Sequence, residues 1–343
     1  EVTGTIVQNL ERPTNSYLGK GKLQELNDLR HSYDTVLLDD ELTPTQQRNM
    51  ENALGEGVKV IDRTALILDV FSRRAQTREG RLQVELAQHQ YLLPRLAGQW
   101  SHLERLGGGI GTRGPGETQI ETDRRLISNR IQRLRRELNE VSKHRALYRK
   151  RRRAQEIPII ALVGYTNAGK STLFNVLTTA GVVESRQLFS TLDPVTRQIR
   201  LPSGHRVLLT DTVGFIHKLP PTVVAAFRAT LEELQEASLL LHVVDVTHRN
   251  SPEQVRVVEG ILQDLDLHRK PVVLVLNKVD LLPGGADSQP THFVRDDSSV
   301  DFSGGVMVSA ATRFGLDGLL RRIDVALADV LEATTPSKVS PEW

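Results

Sequence analysis

The sequence predicts an α/β protein in three parts: a small N-terminal α/β unit, a long antiparallel helical hairpin, and a larger domain of mostly parallel sheet flanked by helices. Three observations carry this. Short β-branched runs alternate with helical patterns through residues 1–80, two apolar stripes with 4-3 spacing occupy 81–153, and from Ile157 onward buried-strand runs each end in a short polar motif. With 39% hydrophobic and 25% charged residues in 343, the composition is that of a globular chain. Zero cysteines exclude a disulfide framework, an iron–sulfur cluster, a thiolate zinc site and a cysteine nucleophile. The apolar runs Ile157–Val163 and Leu239–Val246 fall far short of the roughly 18 residues of a spanning helix, so no membrane anchor is expected. The chain opens on Glu1 with no leader pattern, and is expected to begin inside a longer natural chain.

In the first part, strands are expected at Val2–Val7, Thr35–Asp39 and Val58–Ile61, with helices at Gly21–Arg30 and Thr43–Leu54. Thr43-Pro44-Thr45-Gln46 supplies a hydroxyl cap, proline at the first helical position and glutamine three residues past the cap, a strong helix start. Gly19-Lys20-Gly21-Lys22 reads either as a turn before a helix or as a phosphate-binding nest.

In the second part, Leu82, Leu86, His89, Leu93 and Leu96 repeat at 4-3 spacing, as do Ile127, Ile131, Leu134, Leu138 and Val141. These stripes predict two helices packed as a hairpin, with His89 a packed polar residue in the seam and the loop Gly107–Gly116 at the tip. Residues 124–153 hold 13 Lys/Arg against two Glu, a net of +11 in a chain whose total is +2. Like charges on one helix repel, so a polyanion is the expected partner, and phosphate neutralisation with counterion release is the mechanism. The seam has no Trp or Phe to bury in lipid, and aromatics are only 4%, so backbone-led recognition of folded RNA is favoured over a membrane surface or base stacking.

In the third part, the strand Ile159–Val163 leads into Gly164-Tyr165-Thr166-Asn167-Ala168-Gly169-Lys170-Ser171 and then the helical run from Thr172 to Leu177, the phosphate-loop spacing in its required context. Backbone N–H groups at the helix start would cradle phosphates, Lys170 would neutralise the β- and γ-phosphates, and Ser171 would give a hydroxyl oxygen to Mg²⁺. The strand Val207–Thr210 ends in Asp211-Thr212-Val213-Gly214, which would place Asp211 near the metal and the Gly214 N–H beside the γ-phosphate. The strand Val272–Leu276 ends in Asn277-Lys278-Val279-Asp280; a carboxylate at Asp280 accepts from guanine N1–H and its 2-amino group, donors that adenine lacks there, so GTP/GDP is favoured over ATP. Val306–Val308 ends in Ser309-Ala310, expected to close the base pocket, with Ala311 following. The loop Phe189-Ser190-Thr191-Leu192-Asp193-Pro194 reads either as a strand-edge turn or as the cover for the γ-phosphate, with Thr191 the second Mg²⁺ ligand and Thr196 its rival. Lys170, Thr191 and Gly214 are the candidate catalytic residues. No H-E-x-x-H pattern occurs among ten histidines. The stretch Gly284–Gly305 reads as an exposed loop, and the tail after Leu331 as a linker.

These motifs together resemble the HflX family of ribosome-associated GTPases. The likeness is also carried by Tyr17-Leu18-Gly19-Lys20-Gly21-Lys22, Asp39-Asp40-Glu41-Leu42, Arg48–Leu54, Ile61-Asp62-Arg63-Thr64, Gln83–Leu96 and Gly107–Arg125. The resemblance implies an N-terminal nucleotide-binding-like α/β domain (1–80), a basic hairpin (81–153), a P-loop GTPase domain (157–333) and a tail (334–343). It further implies docking on the 50S subunit and its RNA, a role in splitting or rescuing stalled ribosomes under heat stress, and an effect on large-subunit assembly. A monomer is expected, in the cytoplasm, ribosome-associated or loosely membrane-associated.

Two positions set the expected mechanism apart. Phe215 follows Gly214 where Ras-like enzymes carry the glutamine that orients the attacking water, so slow intrinsic turnover that rises on ribosome binding is expected. Asn167 either tolerates a tight loop or, as in some potassium-dependent GTPases, coordinates K⁺. A nucleotide-gated assembly factor with incidental hydrolysis is the main alternative, and an ATP-driven RNA remodeller is disfavoured by Asp280.

Overall fold

A computed structural model of the chain describes residues 2–9, 14–55, 57–96, 115–154, 157–178, 193–216, 233–283 and 302–334. The loop from Gly107 to Gly114, most of the stretch after Gly284, and the tail from 335 onward lie outside the described residues. By compactness, described residues up to 73 together with 81–141 form one unit, and 74–80 with those from 142 onward form a second.

The first unit begins with α1 (Lys20–Asp28), β1 (Thr35–Leu37), α2 (Pro44–Leu54), β2 (Lys59–Ile61) and α3 (Arg63–Arg74). β1 and β2 pair in parallel, Val36 opposite Val60. The expected helix start is realised in full: Thr43 accepts from the Gln46 N–H at 3.2 Å and the Gln46 side chain accepts from the Thr43 N–H at 3.0 Å. Leu18, Leu26, Leu42, Met50, Leu54, Val58 and Val60 form its core. The strand expected at Val2–Val7 is not formed: among the described residues this run has no ladder partner, and Val2 is 79% exposed. β-branched composition expresses itself as strand only where another strand accepts its hydrogen bonds.

The two hairpin helices are α4 (Arg78–Leu92) and α5 (Pro115–Ala154). Arg130 pairs with Glu85 at 2.6 Å and Arg145 with Glu79 at 2.9 Å; the order along the two helices is opposite, the antiparallel sense expected. On α5 Ile131 and Leu134 are buried, as the spacing predicted. On α4 Leu82 of the predicted stripe is buried and Leu86 and His89, with Leu93 just past the helix end, are half-buried, while a second buried stripe of Val84, Ala87 and Tyr91 lies on the opposite face. The second stripe lies about half a turn away because Tyr91 packs among the N-terminal residues, its hydroxyl donating to Asp62 and its ring stacked under Arg95. His89 approaches Glu85 at 3.5 Å, as a half-buried polar residue.

The second unit is a six-stranded sheet ordered β4-β5-β3-β6-β7-β8, from β3 (Ile159–Val163), β4 (Val195–Arg200), β5 (Arg206–Asp211), β6 (Leu239–Asp245), β7 (Val272–Asn277) and β8 (Val306–Met307). Every pair is parallel except the edge hairpin β4–β5. Period-2 alternation sends Ile160 and Leu162 to one face, where α6 (Lys170–Thr178) and α8 (Leu316–Thr334) pack through Phe174, Leu319 and Ile323. Ile159, Ala161 and Val163 face the other side, covered by α7 (Ser251–Asp264) through Val258 and Leu262. Burial on both faces explains why β3 and β6 read as nearly continuous apolar runs, interrupted in β6 only by His242 before the closing Asp245. The central strands end at one edge, where open α/β sheets hold their ligands.

Candidate nucleotide site

The parallel strands β3, β5, β7 and β8 each deliver a motif to that edge, and β6 ends there in Asp245. After β3 the chain turns through Asn167 (φ 63°) and Gly169 (φ 93°) into α6. A methyl group at Gly169 would lie 2.3 Å from Asn277 Nδ2, so this turn admits only glycine. Lys170 is buried, and its ammonium donates to the carbonyls of Gly164 (3.1 Å) and Tyr165 (2.9 Å). Burial pushes its pKa down to about 8, against the pull of the Asp211 charge.

Asp211, fully buried at the end of β5, accepts from the Ser171 hydroxyl at 2.7 Å. The segment after it is stitched to the loop: Phe215 N–H donates to Gly164 O (3.1 Å), Thr166 N–H to Phe215 O (2.9 Å), and the Thr212 hydroxyl to Leu162 O. Val213 is buried, and Gly214 abuts the loop so closely that an added methyl would meet Thr166 Cα at 2.8 Å and Lys170 Nζ at 3.1 Å.

Asn277 ties the base-side motifs to the phosphate side. Its Nδ2 donates to Ala168 O (2.9 Å), and its Oδ1 accepts from the Ala310 N–H (3.1 Å). The Ala310 N–H is therefore engaged by Asn277. Ser309 is buried and its Oγ accepts from the Thr312 N–H, while Ala311 is exposed. Val279 is buried, and Asp280 stands exposed on the 3-10 turn Val279–Leu281. Thr172 is half-buried on α6.

Among the expected cover-loop residues, Phe189, Ser190, Thr191 and Leu192 lie outside the described residues. Asp193 is described, and its carboxylate accepts from the N–H groups of Gln76 and Thr77 at 2.8 Å each and from the Thr77 hydroxyl, at the start of α4. Thr196, the rival metal ligand, sits in β4 with its hydroxyl 3.0 Å from that of Thr210.

Two site-lining residues were not singled out from the sequence. Asp245 ends β6 and pairs with Lys278 at 2.6 Å. His242 lies within the apolar run of β6, in register with Val163. Burial, with the Lys170 charge adding to it, holds the His242 pKa down to about 4, so the imidazole is neutral in the fold. An unfolded chain protonates this residue near pH 6.5 while the fold does so only near 4. Stability is therefore complete above pH 6.5 and is lost as pH falls toward 4, on the order of 3 kcal/mol. His242→Leu is expected to flatten the change in urea midpoint between pH 7 and pH 4.5; an unchanged pH slope would show that other groups govern acid sensitivity.

Among the described residues no group of three or more His, Asp or Glu forms a metal cluster, and no helix is long and apolar enough to cross a membrane.

Comparison with known proteins agrees along the chain. Residues 1–72 match a family model described as GTP-binding GTPase N-terminal, 74–152 one described as GTP-binding GTPase Middle Region, and 159–278 one described as 50S ribosome-binding GTPase. A GTPase HflX of Caldanaerobacter subterraneus is 51% identical over 327 residues, covering 94% of this chain and 73% of the relative. That of Alkalihalophilus pseudofirmus is 55% identical over 283 residues (82% and 66%), and that of Escherichia coli 46% over 314 (91% and 72%). The chain thus spans about two thirds to three quarters of these relatives' length. A GTP-binding protein of Sulfolobus solfataricus, solved with GDP, aligns with TM-score 0.50 and 26% identity over 94% of this chain and 89% of that one.

Proposed function

The chain belongs to the HflX family of GTPases, and on that premise we propose that it docks on the large ribosomal subunit and couples GTP binding and hydrolysis to splitting or rescue of stalled ribosomes, with heat stress as the occasion. The observation that supports the nucleotide chemistry is the meeting of Lys170, Ser171, Asp211, Gly214 and Asn277 at one edge of one sheet. The Lys170 ammonium exchanges its two carbonyl partners for phosphate oxygens, which hold its charge. Backbone N–H groups at the start of α6 add to the same attraction. The Ser171 hydroxyl and the Asp211 carboxylate are hard oxygen donors suited to Mg²⁺, with Thr191 as the proposed further donor; the ion neutralises phosphate charge when bound. The Asp280 carboxylate reads guanine. K⁺ beside Asn167 belongs to the same proposal, and turnover in KCl is expected to exceed that in equal NaCl.

The ribosomal partner is supported by the hairpin. Along α5, Arg124, Arg125, Arg133, Arg135, Arg136 and Lys143 are exposed, a cationic face suited to RNA phosphates. Steady-state GTP hydrolysis with and without purified 50S subunits, at fixed K⁺, tests the reading. A rise of tenfold or more is expected, and the chain should sediment with 50S as a monomer in the GTP state. Unchanged turnover would overturn coupled hydrolysis. It would favour the second reading, a nucleotide-gated assembly factor, for which the apolar Phe215 beside Gly214 speaks.

A further inference from the structure

Lys278 holds a left-handed backbone conformation (φ 68°, ψ 30°) that residues other than Gly, Asn and Asp seldom adopt. It stands between two anchored neighbours. Asn277 is fixed by Ala168 and Ala310, and the Val279 N–H donates to Val308 O at 3.3 Å. The third anchor is the lysine's own side chain, whose Nζ lies 2.6 Å from Asp245 Oδ2.

Asp245 is itself immobilised. It is buried at the end of β6, directly opposite Asn277 in the β6–β7 register. Its other oxygen, Oδ1, accepts from both the Thr247 N–H (3.0 Å) and the Thr247 hydroxyl (2.6 Å). One carboxylate oxygen thus grips a tight turn and the other grips Lys278. The Lys278 carbonyl accepts from the Leu281 N–H at 3.0 Å, closing the 3-10 turn that presents Asp280. Any swing of Lys278 therefore moves the platform on which Asp280 stands.

We propose that Asp245 is a specificity-determining positioning residue: through its ion pair with Lys278 it fixes the turn that aims the Asp280 carboxylate at the base. The inference rests on the reading that Asp280 recognises guanine. The 2-amino group separates guanosine from inosine nucleotides, and a carboxylate accepting two parallel hydrogen bonds is sensitive to small displacements in a way that one bond is not.

The test is the affinity of the full chain for GDP and IDP, by competition with a fluorescent guanine nucleotide. Asp245→Asn keeps an oxygen for Thr247 and removes the ion pair. Its GDP affinity is expected to fall about tenfold and its IDP affinity no more than about threefold, so that the preference for guanine narrows. Lys278→Met cuts the same pair from the other end and should narrow the preference equally, with the double variant no worse than either single one. Equal losses for GDP and IDP in both variants would overturn the proposal, because a merely structural pair weakens both alike. Asp280→Asn separates the two readings. If it leaves GDP binding intact, the base assignment itself fails; if it abolishes the guanine preference while Asp245→Asn does not alter it, only the present inference fails.

Discussion

Asp62→Ala is expected to destabilise the N-terminal unit by about 3–5 kcal/mol, the range for removing one partner of a buried charge pair. Asp62 is 1% exposed and saturated with donors. Its Oδ2 accepts from the Leu42 N–H (3.0 Å) and lies 3.3 Å from Arg95, and its Oδ1 accepts from the Ala65 N–H (2.8 Å) and the Tyr91 hydroxyl (2.8 Å). The carboxylate therefore ties the end of β2 to the loop before α2, the start of α3 and the far end of α4. Arg95 stacks 3.5 Å from the Tyr91 ring centre and donates to Gln47 and to Leu42 O, so it cannot leave for solvent when its counter-charge is deleted. Burial, followed by repulsion from Asp62, also holds the Glu41 carboxyl above the usual carboxylate range. Urea unfolding followed by far-UV circular dichroism supplies the number. Asp39→Ala is the control: Asp39 pairs with Arg63 at 2.7 Å but its side chain is 95% exposed, and the expected cost is below about 1 kcal/mol. Equal losses for both variants would refute the view of Asp62 as a buried hub.

Elements set by local rules are legible in the sequence. The Thr43 capping box, the apolar runs of β3 and β6 and the helix start at Lys170 depend on residues within a few positions of one another. β4 was not legible. In Val195–Arg200 only Ile199 is buried, and the run takes strand form because β5 offers a hydrogen-bonding edge, with Thr196 opposite Thr210. Val2–Val7 fails for the converse reason, having the composition and no partner among the described residues. The second α4 stripe, Val84, Ala87 and Tyr91, was not legible, because whether a further face of a helix is buried depends on what packs there, here the surroundings of Tyr91 and Asp62.

The site divides along the same line. Its motifs were legible because a phosphate cradle and a base-reading carboxylate each need a contiguous spacing after a strand. The links between motifs were not. Asn277 joins Ala168, over a hundred positions away, to Ala310, and Asp193 spends its carboxylate on Gln76 and Thr77. Asp245 carried a weak signal, an acid closing a buried parallel strand at the ligand edge; His242 carried none, since a histidine inside an apolar run is also what a packed core contains.

Phe215→Gln is expected to cost about 3–5 kcal/mol and to leave intrinsic GTP hydrolysis no faster. The sequence alone says that this side chain cannot orient water; the fold says where it goes instead. Phe215 is 2% exposed and packs with Val163, Leu234, Leu240 and Val258 in the core beneath the sheet. Its backbone is clamped to Gly164 and Thr166, so the side chain cannot turn toward the nucleotide edge without breaking the stitch between the phosphate loop and the Gly214 segment. A glutamine amide there loses aromatic packing and buries a polar group among apolar ones. Phe215→Leu restores an apolar body and should fall by only about 1–2 kcal/mol, with ribosome-stimulated turnover within about twofold of the parent. Thermal melts of the three proteins and single-turnover hydrolysis with and without 50S decide the matter. A Gln variant of parental stability that hydrolysed GTP faster without ribosomes would place this side chain at the phosphates, and the source of the activating group would then lie within the chain rather than on its partner.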